Sequence, residues 1–295
     1  TTQLFRLLHN VALYRPWYRR LFAPAPTYSF EIVSRKGMGI QYLIRVPADQ
    51  AQTVSKTLRG YLPGLQIQET EEYLVKSDSL KPVVREYGLR THFAKPLEER
   101  ADFTSHDPIG YLTNGMTQLG SGELMAVQIV ARPISPLNDY AWSREVTKLQ
   151  GKMYRNQLTH PDQHLNATLV GSGFNFFLHL IGSIAGWVGS AVVSVIDHLQ
   201  GIFTSPAPAT AIDQPASPAE LELTGRIKGK LEQPLFLASI RTVVQVAPSQ
   251  RQARIQGLAS SFASYTSTQM QGILPQWSFP QPLKRWQFRH RVLSH

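Results

Sequence analysis

Apolar residues recur along this chain with two different periods, and the switches between them mark out its elements. Over Tyr28–Ser34 the period is two, with Tyr28, Phe30 and Ile32 set against Ser29, Glu31 and Val33, which predicts a strand. Lys36-Gly37-Met38-Gly39 reads as a hairpin turn, and Ile40–Val46 as the second strand. The period then lengthens. Pro47 and Asp49 open a helix to about Leu62 with Val54, Leu58 and Tyr61 on its apolar face, Pro63-Gly64 ends it, and Leu65–Glu69 returns as a strand. The same reading gives strands at Val83–Thr91, Leu124–Arg132 and Leu235–Val246. It gives helices over residues 1–22, from Asp107-Pro108 to about Gly120, over Tyr140–Gln157, from Ser217-Pro218 to Lys230 and from Pro248 to Thr266. Helices that alternate with strands and hairpins predict an α+β fold of two ferredoxin-like two-layer units, helices on antiparallel sheet.

A weak repeat carries the two-unit expectation. Ile40–Leu62 aligns without gaps to Ile240–Phe262, with identities at Ile40/Ile240, Val46/Val246, Gln50/Gln250, Gln52/Gln252 and Leu58/Leu258. Strand, proline-containing turn and helix recur in register, although two generic strand–helix units also resemble each other by chance. The expected organisation is a basic aromatic helix (1–27), a first α+β domain (28–157), an apolar helix (158–203), a Pro/Ala linker (204–218), a second α+β unit (219–270) and a basic aromatic tail (271–295).

One stretch departs from both amphipathic patterns. Phe174–Ile196 contains no Asp, Glu, Lys or Arg, and is long enough to cross a bilayer as a helix. Gly182, Gly186, Ser190 and Ser194 recur every fourth position beside Trp187, a row that lets two helices approach closely. A spanning helix, an interfacial helix and a core helix all fit the pattern, since Asn175, His179 and the many Gly and Ser lower its hydropathy.

Composition changes the picture mainly through charge. The 295 residues carry a net charge of +10, which favours anionic partners, and the excess sits at the ends. Arg15, Arg19 and Arg20 lie beside Trp17; Lys284, Arg285, Arg289 and Arg291 lie beside Trp286. Such interleaving of rings and cations suits single-stranded nucleic acid and an anionic lipid surface equally. The absence of cysteine excludes disulfides, thiol catalysis and Cys-based zinc sites. The first residue is Thr, and the chain reads as a fragment of something longer.

Catalytic patterns are not present in the sequence. Gly225–Lys230, GRIKGK, has the wrong spacing for a phosphate-binding loop, and no nucleophile elbow occurs. Ser105-His106-Asp107 holds triad residue types, but neighbours in sequence cannot align as a relay. His160 and His164 have ligand spacing but no evident third ligand, and Glu69, Glu71 and Glu72 suit a solvated edge better than a cleft. We therefore expect no enzyme activity, no cofactor, no metal site and no catalytic residue in this chain.

Three blocks in order, about a third of the chain, resemble a known family. Phe30–Leu74 (FEIVSRKGMGIQYLIRVPADQAQTVSKTLRGYLPGLQIQETEEYL), Asp107–Pro133 (DPIGYLTNGMTQLGSGELMAVQIVARP) and Lys230–Tyr265 (KLEQPLFLASIRTVVQVAPSQRQARIQGLASSFASY) are similar to the N-terminal, pre-ATPase region of conjugative, type IV secretion-type DNA-transfer ATPases of some Gram-positive and ultrasmall bacteria. The family's ATPase domain has no counterpart here, so its catalytic residues have no positions to be carried onto. The resemblance implies a coupling-protein-like scaffold without chemistry of its own, which anchors, oligomerises or docks a C-terminal motor. Its expected place is the cytoplasmic side of the cell membrane. The implied partners are that ATPase domain, further copies of the chain, the membrane and DNA. The alternative is a self-contained nucleic-acid-binding protein that uses the basic aromatic ends.

Overall fold

The computed structural model describes residues 2–13, 26–74, 80–97, 108–135, 139–155, 161, 165, 217–266, 270–276, 278 and 280–294. The apolar stretch with Gly182, Gly186, Trp187, Ser190 and Ser194, the N-terminal cluster Arg15, Trp17, Arg19 and Arg20, and His160 and His164 all lie outside the described residues. Contacts group the chain into two units. One comprises Thr1–Arg90, Leu97–Gln150 and Leu231–His295; the other comprises Thr91–Pro96 and Gly151–Lys230.

Six strands of the first unit form one antiparallel sheet. They are β1 (Tyr28–Arg35), β2 (Gly39–Arg45), β3 (Val83–Leu89), β4 (Leu124–Pro133), β5 (Phe236–Gln245) and β6 (Ile273–Gln276), in the order β2-β1-β4-β5-β3-β6. The β1–β2 turn closes where the sequence puts it, because Gly37 (φ 82°) and Gly39 (φ 67°) supply the left-handed backbone that it needs. β4 and β5 are buried on both faces along most of their length, so neither can serve as an edge. They pair with each other from Leu124↔Gln245 to Pro133↔Phe236. The two segments expected to build separate sheets thus contribute to a single one.

The helices are α1 (Thr2–Leu13), α2 (Ala51–Tyr61), α3 (Pro108–Asn114), α4 (Tyr140–Tyr154), α5 (Pro218–Leu231), α6 (Pro248–Ser261) and α7 (Gln281–His290). Tyr28, Phe30 and Ile32 point to one face of β1, and on that face α1 and α2 pack through Leu8 and Val54. Further along the same face, α3 and α6 pack through Leu112, Ile255 and Leu258 on Met125, Val127 and Val244. The opposite face carries Val33, Val84, Ala126 and Val243, and Phe288 of α7 covers it together with Tyr73. In the second unit, α5 buries Leu223 and Ile227, and Lys230 donates from Nζ to the carbonyls of Phe93 (2.5 Å) and Lys95 (3.0 Å).

The mixed α+β character and most of the predicted elements are present. Three details differ. Leu65–Glu69 forms no strand: its side chains are almost all exposed, and its Gln and Glu residues leave too little apolar surface to hold it on the sheet. Tyr61 is 48% exposed, because it is the last residue of α2 and lies past the part of that helix that meets the sheet, whereas Val54 is buried and Leu58 packs beside it. The tail is not a tail: it holds β6 and α7. Among the described residues no helix is long and apolar enough to cross a membrane.

Candidate functional site: a buried polar row under the last helix

Four strands each place one polar side chain in line on the α7 face. Glu31 of β1 faces Gln128 of β4, Gln128 faces Arg241 of β5, and Arg241 faces Glu86 of β3. All four are buried, with Gln128 and Arg241 at 0% exposure. A desolvated row of this kind is tolerated only where every charge finds partners.

The partners come largely from α7. Pro280 precedes the helix and Pro282 lies in its first turn, so the helix begins where ring-locked residues allow. It ends at Arg291, which is left-handed at φ 52°. That cap lets Val292 donate from its amide to the Gln287 carbonyl at 3.0 Å and folds the chain back across the sheet. Arg241 then donates from Nη2 to the Val292 carbonyl and to Ser294 Oγ, both at 2.5 Å, and from Nη1 to the Gln287 carbonyl at 3.3 Å. Its Nε lies 3.5 Å from Glu86 Oε1 but makes no hydrogen bond, so that contact is one of charge. Gln128 donates from Nε2 to Glu31 Oε1 and to the Phe288 carbonyl, each at 3.1 Å.

Two cations of α7 and its cap complete the row. Lys284 pairs with Glu86 Oε2. Arg291 forks onto two carboxylates, reaching Glu31 through Nε (2.9 Å) and Nη2 (3.2 Å), and Glu72 through Nη1 and Nη2. Three acids (Glu31, Glu72, Glu86) thus meet three cations (Arg241, Lys284, Arg291). Burial pushes the Glu72 carboxyl up, but the Arg291 guanidinium more than offsets this and leaves it below the usual carboxylate value. Burial, reinforced by the Glu31 charge, pushes the Tyr73 phenol up. Gln281 also fixes the start of α7 to β3, donating from Nε2 to the Val84 carbonyl at 2.9 Å and accepting from the Val84 amide at 3.0 Å.

This arrangement reassigns residues expected to touch phosphate or lipid. Lys284 and Arg291 are engaged as described, and Arg285 donates from Nε to the Pro82 carbonyl at 2.7 Å. An external anion would have to break those bonds first. Arg289 is exposed, and Trp286 is 52% exposed with its ring 5.0 Å from that of His290. The residues that organise the row, Glu31, Glu86, Gln128 and Arg241, were not singled out by sequence. The available signal was a charge or amide in the middle of each strand, flanked by apolar residues in β1 and β4 and by Ile240 and Thr242 in β5, but beside a second charge, Arg85, in β3.

Chemically, the row holds no free acid or base, because each carboxylate is neutralised by a guanidinium or ammonium. Among the described residues no group of three or more His, Asp or Glu could hold a metal. A surface hollow of about 500 Å³ between α1 and α2 is lined by Gln3, Arg6, Leu7, Asn10, Val11 and Thr53, with Arg6 as its one charge. That Arg6 donates from Nη2 to Gln233 Oε1 at 3.0 Å. In the second unit, burial pulls the Lys230 ammonium down to about 8.

A family model described as a domain of unknown function, DUF8128, matches residues 1–292, and the chain belongs to that family. No curated protein and no solved structure matches it.

Proposed function

We propose that this chain is a non-catalytic scaffold: the anchoring and docking region of a conjugative, type IV secretion-type DNA-transfer ATPase. Its partners are the motor domain, further copies of itself, the cytoplasmic side of the cell membrane, and DNA. The observation that carries the reading is the polar row. Its three acids and three cations are matched within the chain and fix α7 across four strands. Buried charge is spent here on holding one element in one position, a use suited to a part that transmits position to a neighbour. The resemblance adds support. Its three blocks supply β1 with β2 and α2, α3 with β4, and β5 with α6, and β1, β4 and β5 are neighbours in the sheet.

The two-unit ferredoxin-like reading belongs to this proposal. Residues 40–62 and 240–262 both run from strand through a proline to a helix, which supports a shared origin, although β2 lies at an edge and β5 inside the sheet. The reading frame that encodes the chain tests the functional proposal. A phosphate-binding loop on the same polypeptide beyond residue 295 supports it. A stop codon there, or an unrelated domain, overturns it. Isothermal titration of this chain with MgATP is expected to give no heat of binding, since the sequence holds no phosphate-binding loop.

A further inference from the structure

Lys284 and Arg285 of α7 are occupied, but the cations along α4 have no such partners among the described residues. Arg144, Lys148 and Lys152 on α4, and Arg155 directly after it, are exposed and form no ion pair or side-chain hydrogen bond among the described residues. They belong to one unbroken helix and the residue that follows it, so helix geometry alone sets their spacing. Each is about one turn beyond the last, and together they extend over roughly 16 Å at 1.5 Å per residue. Tyr140, 68% exposed, and Tyr154, 74% exposed, frame the row. Between them, exposed Thr147 and half-buried Gly151 add no bulk and no charge. The acid of this helix, Glu145, pairs with none of the four cations.

We propose that this face of α4 binds single-stranded nucleic acid, with Arg144, Lys148, Lys152 and Arg155 on successive phosphates and the Tyr140 and Tyr154 rings stacked on bases. Charge selects a polyanion, and the spacing suits an extended one. The choice between nucleic acid and lipid follows from the apolar residues. A helix that lies in a membrane surface turns an apolar face to the lipid. On α4, Leu149 is buried and Val146 and Met153 are half-buried. Gln150 is held by donating from Nε2 to the Leu231 carbonyl at 2.9 Å. Trp142, 40% exposed, lies seven residues before Leu149 and so on the same side of the helix as that buried residue, which leaves Tyr140 and Tyr154 as the rings beside the cations. Those rings favour an unpaired strand, because bases in a duplex are already stacked on one another. The site goes beyond the scaffold reading and rests on the exposed cations and rings of this face, so it stands if the reading frame beyond residue 295 encodes no motor.

The test compares the full chain with R144Q/K148Q/K152Q/R155Q and with Y140A/Y154A. Fluorescence anisotropy uses a labelled twenty-nucleotide oligothymidylate, the matching duplex, and vesicles rich in phosphatidylserine, between 50 and 200 mM salt. Gln keeps the helix and removes charge, and circular dichroism of each variant checks that the fold is intact. Losing four phosphate contacts should reduce the slope of log affinity against log salt by about 3, at roughly 0.7 per contact for single strands. The tyrosine variant should lose at least about 10-fold on the single strand and little on the duplex, since stacking contributes about 1–3 kcal/mol per base. An unchanged slope in the quadruple variant overturns the proposal. So does a variant that loses vesicle binding and keeps oligonucleotide binding, or a tyrosine variant that loses duplex and single strand alike.

Discussion

Glu86 is the acid that faces Arg241, and this makes Glu86→Gln the sharper probe of the polar row. Arg241 is fully buried and its guanidinium cannot shed its proton, so Glu86→Gln leaves an uncompensated charge at the centre of the sheet. Breaking a buried pair in this way costs about 3–5 kcal/mol. Arg241→Met is different. Glu86 keeps Lys284, and the Gln287 carbonyl keeps the amide of Val292. The groups left short are the Val292 carbonyl, Ser294 Oγ and Gln128 Oε1, the last losing only a long 3.5 Å bond from Nη1, and the Met side chain fills most of the vacated space. We expect a loss of about 1–2 kcal/mol. The double variant Glu86→Gln/Arg241→Met should then lie within about 1 kcal/mol of Arg241→Met, well short of the sum, because removing the guanidinium removes the reason Glu86 matters. Urea unfolding followed by far-UV circular dichroism measures all three, with tryptophan fluorescence as a second probe. The reasoning fails if Arg241→Met is the more damaging single change, or if the two losses add.

Other consequences are testable on the same protein. Arg291 combines a left-handed backbone with two ion pairs, so Arg291→Ala and Arg291→Gly both lose the pairs, but only Gly relieves the backbone. Urea melts should place Gly above Ala by about 1 kcal/mol, and equal stabilities would deny the strain. Lys230 is held at about 8 by burial, below the ordinary 10.5, so its protonation favours the unfolded chain. Through this linkage its burial costs the fold nothing above about pH 10.5, costs more as pH drops to about 8, and costs a constant amount below. Thermal melts across that window should therefore show the parent gaining on Lys230→Met as pH rises, and a constant difference would contradict the burial effect.

Much of the fold is legible in the sequence because the local signals are strong. The alternation of β1 and the apolar runs of β2, β4 and β5 give those strands to within a residue or so, and Pro108, Pro218 and Pro248 mark helix starts correctly. What is not legible is pairing over distance. Glu31, Glu86, Gln128 and Arg241 come from strands separated by up to 210 residues, and no local pattern says that they share a row. The segment Leu65–Glu69 misleads for the converse reason: its strand-like end of a β-β-α-β pattern lacks the apolar residues that packing on the sheet demands. α7 had a readable start in Pro280-Gln281-Pro282, but its abundant Arg and aromatic residues look like an interaction tail until their partners are known. The basic face of α4 is the reverse case. The sequence shows a polar amphipathic helix, and only the structure shows that Arg144, Lys148, Lys152 and Arg155 make no ion pair or side-chain hydrogen bond among the described residues, whereas Lys284 and Arg285 of α7 are held.

Hydrogen–deuterium exchange of the whole chain tests most directly the central claim that α7 is built into the sheet by the polar row. Amides of residues 284–290 should exchange on the same slow timescale as those of β4 and β5, and Glu86→Gln should accelerate α7 before it affects the α6 side of the sheet. Exchange of α7 within seconds in the parent protein, at the rate of an unstructured tail, would contradict the account.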